Sequence, residues 1–478
     1  MNILILKPHS SYAAYGDMIP LGLAYVASAL REDNHKIHLI DFSIIDSERE
    51  RKQSIGDTIR EFKESRGKWM RITKILEKTI KEFRPKVICI SCNTSERFNM
   101  FKMVRLVKKM TKAIIIVGGP HVTVTAKQTL KKIREIDIIV RGEGEETIKE
   151  LCKKIENEEN WKDIRGISYI SRGKVITNPN RELIQDLDKI SFPARELFDN
   201  TKYSYSLPIM GLVSNVTGIV TSRGCPGKCH FCSGFVMWQG RFRFRSAKNV
   251  VDEMEDTLNK YPFYNGFWIC DDNFFADNKR AINICREIKK RNLTFVWGCS
   301  GRADNITEEV AKEMSSAGCK LISFGIESGS NNVLKLMNKE IDIKTVKKAI
   351  KICRENGILP RGTFIFGYPG ETLYDMLKTM RVIFNFEPAT INYGTNVVFF
   401  PGTYITLKHI PDFDWCAPMP KNMPRIQATP LCVIPGDPMR AKILHKVMRI
   451  LFLFYTATHP EYAIRIVTKR LSKKKTRF

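Results

Sequence analysis

Short apolar runs and helical repeats alternate along this chain in two blocks, and that alternation leaves few folds open. In residues 1–150, "NILILKP", "KIHLIDF", "KVICISC" and "AIIIVGGPHVT" read as strands, and "IDIIVRGEGEE" as a strand and loop. Helical spacing separates them, in "PLGLAYVASALREDNH", residues 54–84, "FNMFKMVRLVKKM", "QTLKKI" and "ETIKELCKKIE". "KVICISC" is apolar throughout, as suits a parallel strand covered on both faces. The pattern predicts a doubly wound, Rossmann-like α/β domain. Ligands of such domains sit beyond the carboxyl ends of the strands. The loops there are "KPHSS", "SCNTSE", "GGPHVT" and "RGEGEE", all rich in glycine or hydroxyls. Each alone also reads as plain turn chemistry. No G-x-G-x-x-G follows the first strand, which disfavours a dinucleotide.

Residues 151–210 read as a linker with a small hairpin, "IRGISYISRGKVITNPNREL", and an extended stretch around Pro193. The alternation resumes over 211–405. Strand-like segments are "VTGIVTSRG", "GFWICDDNF", "FVWGCSGRA", "LISFGIESGS", "PRGTFIFGYPG" and "TINYGTNVVFFPGT", with helical segments between them. Six β/α units predict a parallel barrel, full or partial, with its active site at the carboxyl ends of the strands. Residues 406–478 read as a helical, basic extension.

A chain of 478 residues is too long for one ordinary core, so two or three domains are expected. The N-terminus, "MNILILKPHSS", has no basic leader and no small-residue cleavage site. No run reaches the ~18 apolar residues of a membrane span. Thirteen cysteines without an export signal point to a reducing, cytoplasmic setting. Net charge is +27, and from Arg440 onward eleven Lys/Arg face one acid, Glu461. Such a tail can meet phosphate in nucleic acid or lipid, or remain a solvated tail.

Cys225, Cys229 and Cys232 stand apart from the other cysteines, at C-x3-C-x2-C spacing in "TSRGCPGKCHFCSG". Structural zinc wants four ligands, usually as two short-spaced pairs. His230 or Cys270 would have to complete the set, and His230 lies between two of the thiols. An odd count fits no disulfide framework. Iron–sulfur cubes are held by thiolates, and three of them leave one iron open.

The spacing, with Phe231 before the third cysteine, resembles the radical S-adenosylmethionine (SAM) enzymes, and the likeness extends to about residue 405. The resemblance implies a [4Fe–4S] cluster on Cys225, Cys229 and Cys232, whose open iron chelates SAM. An electron from a donor such as flavodoxin or ferredoxin would then release a 5′-deoxyadenosyl radical. It also implies SAM contacts from Asp271 and Asp272 in "CDDNF", from Arg302 in "SGRAD" to the methionine carboxylate, and from Glu327 in "GIESGS" to the ribose. "GTFIFGYPGE", with Gly367, would lie along the adenine. "CDDNF" lacks the family's paired glycines. Arg302 or Glu327 taken singly also reads as a surface ion pair.

Residues 1–150 resemble the cobalamin-binding module of the class B methylases and of the anaerobic Mg-protoporphyrin monomethyl ester cyclases, through "IPLGLAYVASAL", "VGGPHVT" and "IVRGEGEET". This likeness implies cobalamin over Ser91, Thr94, Gly118, Gly119, His121, Gly142, Glu143 and Gly144. Many such modules carry D-x-H-x-x-G after the first strand. "DNHKIH" at 33–38 mimics its start, but His38 replaces the glycine and the segment leads into the second strand, so His35 reads as a turn residue. Cobalt is then expected without a histidine beneath it. His121 reads as a loop side chain at the corrin edge or in water.

The expected reaction is methyl transfer to an unactivated carbon of a small or lipid-like substrate. Cyclisation and carbon–carbon coupling are the alternatives within the family. A methylthiotransferase acting on tRNA would need a second cluster, and Cys89, Cys92 and Cys152 are the N-terminal candidates for it. A cobalamin or redox sensor without catalysis is the alternative from another class. Nucleic acid is not expected as a partner. "RAKILHKVMRILFLFYTA" reads either as a helix packed on the barrel or as a peripheral contact with the inner membrane face.

Overall fold

The computed structural model describes residues 1–9, 18–44, 58–203, 205–207, 215–383, 391–394 and 397–417. The basic C-terminal helix expected after residue 417 lies outside them. The first unit runs β1 (Asn2–Lys7), α1 (Leu21–Glu32), β2 (Lys36–Asp41), α2 (Thr58–Phe83), β3 (Val87–Ser91), α3 (Arg97–Met110), β4 (Ile114–Gly118), α4 (Pro120–Lys132), β5 (Ile138–Val140) and α5 (Glu145–Glu156). A hairpin follows, β6 (Ile167–Ser171) and β7 (Lys174–Thr177). The sheet order is β2-β1-β3-β4-β5-β6-β7, parallel through β5 and antiparallel beyond.

Alternate residues of these strands face opposite cores. Leu4, Leu6, Ile88 and Ile90 pack with α2–α4, while Ile3, Ile5, Cys89 and Ile116 pack with α1 and α5. Each fully buried aliphatic side chain contributes roughly 1.5–3 kcal/mol. Two expectations shift. The hairpin expected in the linker extends the first sheet, so that sheet runs to Thr177. "GGPHVT" is only partly loop, because Pro120 at the first helical position starts α4 and puts His121 in its first turn.

The second unit contains β8 (Tyr205–Ser206), β9 (Asn215–Ile219), β10 (Ser222–Arg223), α6 (Ser233–Trp238), β11 (Arg243–Phe244) and α7 (Ala247–Lys260). It continues with β12 (Gly266–Ile269), α8 (Asn278–Lys290), β13 (Val296–Gly301), α9 (Glu308–Ser316), β14 (Cys319–Glu327), α10 (Asn331–Leu336) and α11 (Ile343–Glu355). It ends with β15 (Leu359–Ile365), α12 (Leu373–Ile383), β16 (Ile391–Gly394) and α13 (Tyr404–His409). The order β16-β15-β14-β13-β12-β9-β8 holds six parallel strands with β8 antiparallel at one edge. The described sheet does not close, which makes it a partial barrel.

After α13 the chain returns to the first unit. The Gln128 side chain donates to Phe413 O at 3.0 Å and accepts from Trp415 N at 2.9 Å, and Arg97 Nε donates to Trp415 O at 2.9 Å. No described helix is long and apolar enough to cross a membrane.

Candidate active site between the two sheets

The cysteine loop leaves β10 and ends at α6. Cys232 caps that helix, its Sγ accepting Gly234 N–H at 3.3 Å, and Cys225 Sγ accepts Gly227 N–H at 3.4 Å. Such N–H groups stabilise thiolates. Burial pushes the Cys225 and Cys232 thiols up, and the Gly227 and Gly234 amides oppose that. All three thiols are partly exposed, whereas Cys285, Cys299, Cys319 and Cys353 are buried in the barrel core. Among the described residues, no three His, Cys, Asp or Glu side chains come together to hold one metal ion. His230 is taken up elsewhere, stacked on Tyr404 at 4.0 Å with Nδ1 3.1 Å from Leu336 O. Phe231 packs into the small core formed by Val333, Tyr368 and Phe399.

The strand ends behave differently from one another. Asp271 is buried and saturated: Oδ1 accepts Thr221 N at 2.7 Å, and Oδ2 accepts the hydroxyls of Thr221 and Ser222, each at 2.5 Å. Arg280 stands 3.4 Å away. The expected contact from Asp271 to SAM is therefore replaced by a structural role, holding the chain that enters the cysteine loop. Asp272 is the exposed member of the pair. The low-dielectric walls around its carboxyl and the neighbouring Asp271 push it up, while hydrogen bonds from Gly224 and Trp238 oppose that.

Arg302 grips Asp304 with both arms, at 3.0 and 2.9 Å, and its Nη1 lies 3.9 Å from Cys229 Sγ. The guanidinium thus stands beside the thiols with its fork already engaged. Glu327 ends β14 in left-handed backbone, φ 70°, and faces Lys339 Nζ at 3.5 Å. Burial pushes its carboxyl up, and Lys339 opposes that. Gly367, φ 75°, donates its N–H to Glu371 at 2.6 Å.

A cavity of about 570 Å³ joins the two units. Ser91, Gly118, Gly119, Gly142, Glu143 and Gly144 line it from the first sheet. Ser233, Gly234, Trp238, Cys270 and Asp272 line it from the barrel side. It also reaches between the first sheet and helices α1 and α5, past Val26, Cys89, Ile116 and Ile148. Gly119 is required where it stands, because its φ is 113° and an added Cβ would meet Cys92 O at 2.7 Å.

Thr94 and His121 are not in this lining. His121 is fully buried, its Nδ1 3.3 Å from Thr94 Oγ1 and its ring against Trp415. Burial, aided by Arg97, lowers its pKa to about 3. It is therefore a core side chain and not the loop side chain expected. His35 lies at the amino end of β2, 3.3 Å from the N-terminal amine. No histidine is among the described residues lining the cavity. Lys7, Asn93 and Arg223 line it without any sequence signal to mark them. Cys89 and Cys152 lie on one face of the first sheet and Cys92 on the other, so they do not form a second cluster site.

A B12 binding domain model matches residues 12–152, and a radical SAM superfamily model matches residues 219–383. The chain belongs to the B12-binding radical SAM enzymes. This radical SAM enzyme is 34% identical over 387 residues to the uncharacterized methyltransferase PH0819 of Pyrococcus horikoshii, covering 80% of this chain and 77% of that one. It is 30% identical to the anaerobic magnesium-protoporphyrin IX monomethyl ester cyclase of Rubrivivax gelatinosus, covering 66% of this chain and 57% of the cyclase. In fold it resembles the radical SAM methyltransferase TsrM from Kitasatospora setae, with TM-score 0.66, 18% identity, and 85% and 74% of the two chains covered. Cobalamin and a [4Fe–4S] cluster are bound in that structure.

As a radical SAM enzyme with a B12 binding domain, it uses SAM and cobalamin as cofactors. Its residues fit them. Three partly exposed thiols, two of them accepting backbone amides, suit a cube with one open iron. A cavity lined by Asp272, by the strand-end glycines and by side chains between sheet and helices suits a large cofactor.

Proposed function

We propose that this enzyme methylates an unactivated carbon of a small or lipid-like substrate bound at the barrel mouth. The supporting observation is a cavity shared by the strand-end loops of the first sheet and by the helix that Cys232 caps. When bound, the cluster supplies the electron that cleaves SAM and the cobalamin supplies the methyl group. In this reading Cys225, Cys229 and Cys232 hold the cluster. Asp272 faces the SAM amino group, and Arg302 lends positive charge beside the thiols. Glu327 and Gly367 border the nucleoside. Ser91, Gly118, Gly119, Gly142 and Gly144 let the corrin approach the backbone closely. No histidine among the described lining residues would be placed to ligate the cobalt.

An acidic electron carrier, flavodoxin or ferredoxin, is the proposed donor. A peripheral membrane contact through residues 440–478 is the proposed route to a lipid-like substrate, and flotation with liposomes tests it by loss on truncation. A cyclisation outcome is the second reading, favoured by the 30% identity to the cyclase. Product analysis on anaerobically reconstituted enzyme tests the main reading. Methylation yields 5′-deoxyadenosine and S-adenosylhomocysteine together. Cyclisation without methyl transfer yields no S-adenosylhomocysteine.

A further inference from the structure

Glu143 was expected to touch cobalamin, yet its carboxylate faces the barrel. Oε1 accepts from Arg223 at 2.6 Å, and Oε2 accepts from Arg243 at 2.8 Å and from Ile184 N at 2.7 Å. The other arm of Arg223 reaches Glu145 at 2.6 Å. Arg223 and Arg243 are paired across the short β10–β11 ladder, so two cations and two anions close a compact, buried clasp. The Tyr25 ring lies 5.6 Å from the Arg223 guanidinium. Burial alone would lower the Arg223 pKa, but Glu145 and Glu143 more than reverse that and keep it charged.

We propose that Arg223 is a positioning residue that locks the loop Gly142–Glu145 to the cysteine loop and so sets the spacing between cobalamin and cluster. Both ends of the clasp are stiff. Only Gly224 separates Arg223 from Cys225. Its φ is 93°, and a Cβ there would come within 2.0 Å of Arg241 O. A shift of Arg223 therefore passes straight to the first cluster thiol. At the far end Glu143 and Glu145 flank Gly144, a cavity-lining residue packed so close that an added Cβ would meet Val26 Cγ2 at 3.3 Å. A pair that merely added stability would need neither of these direct connections.

The inference rests on the proposed cofactor placement. Its test is pulsed dipolar EPR on the full chain loaded with both cofactors, with the cluster reduced and the cobalt as Co(II). Dipolar coupling falls with the inverse cube of spin separation, so it reads the spacing directly. Wild type is expected to give one narrow dipolar component. Arg223→Met is expected to broaden it and shift it to longer distance while still binding cobalamin and cluster, and Arg223→Lys is expected to restore part of the narrow component. A wild-type trace in Arg223→Met overturns the proposal. If that variant does not fold, Glu145→Gln, which removes one arm only, must still broaden the trace, and an unchanged trace there overturns it. A wild-type protein that binds no cluster or no corrin contradicts the proposed function instead.

Discussion

Asp271 accepts the backbone N–H of Thr221 at 2.7 Å and the same residue's hydroxyl at 2.5 Å. This contact ties the end of β12 to the chain that carries the cysteine loop. Adjacent Asp272 takes the opposite role and opens into the cavity. The neighbours are therefore expected to respond differently to substitution. Asp271→Ala strands buried donors of Thr221 and Arg280 and should cost on the order of 3 kcal/mol in urea unfolding, with iron per chain falling as well. Asp272→Ala should cost under about 1 kcal/mol and weaken SAM binding. Equal losses of stability would contradict the assignment.

Glycines in the site separate by what surrounds them. At Gly224 a methyl group meets the Arg241 backbone, so Gly224→Ala should cost about 4 kcal/mol or more and empty the cluster site. Gly142 has φ 76° but, among the described residues, no atom within 4 Å of an added Cβ. Gly142→Ala should cost only the left-handed backbone penalty, about 1–2 kcal/mol. Thermal melts of the two variants make the comparison.

Glu371 gives a pH signature. Its Oε2 accepts Gly367 N–H at 2.6 Å, Oε1 has no hydrogen-bond partner among the described residues, and burial pushes its carboxyl up to about 7. A raised carboxylate pKa contributes stability that is present below the unfolded value, near 4.5, and is lost as pH rises through about 7. Glu371→Gln should therefore gain on wild type between pH 5 and 7.5, by on the order of 2–3 kcal/mol. Parallel stability profiles for the two proteins would refute this.

Much of this was legible in the sequence, for physical reasons. Apolar runs such as "VICIS" show strands because both faces are covered, and the C-x3-C-x2-C spacing marks the three thiols because they share one loop. What stayed hidden depended on register or on distant contacts. The turning of Asp271 inward and Asp272 outward is set where β9 and β12 align Ile219 with Ile269. No local pattern marks Arg223, whose partner Glu143 is 80 residues away. His121 was misplaced because Pro120 starts a helix there, which turns the ring into the core under Trp415.

The return of the chain to α4 is also testable. Gln128 holds both Phe413 and Trp415, so Gln128→Ala should cost about 1–2 kcal/mol and make residues 410–417 more sensitive to protease. Unchanged cleavage kinetics would show that the contact does not hold this segment.

The most direct test compares wild type and Cys229→Ala after anaerobic reconstitution with iron, sulfide and cobalamin. The account predicts that wild type shows cluster and corrin absorption and cleaves SAM to 5′-deoxyadenosine under reduction. It predicts that Cys229→Ala keeps the corrin bands and loses SAM cleavage. Equal cleavage by both proteins, or none by a wild type carrying both cofactors, would contradict it.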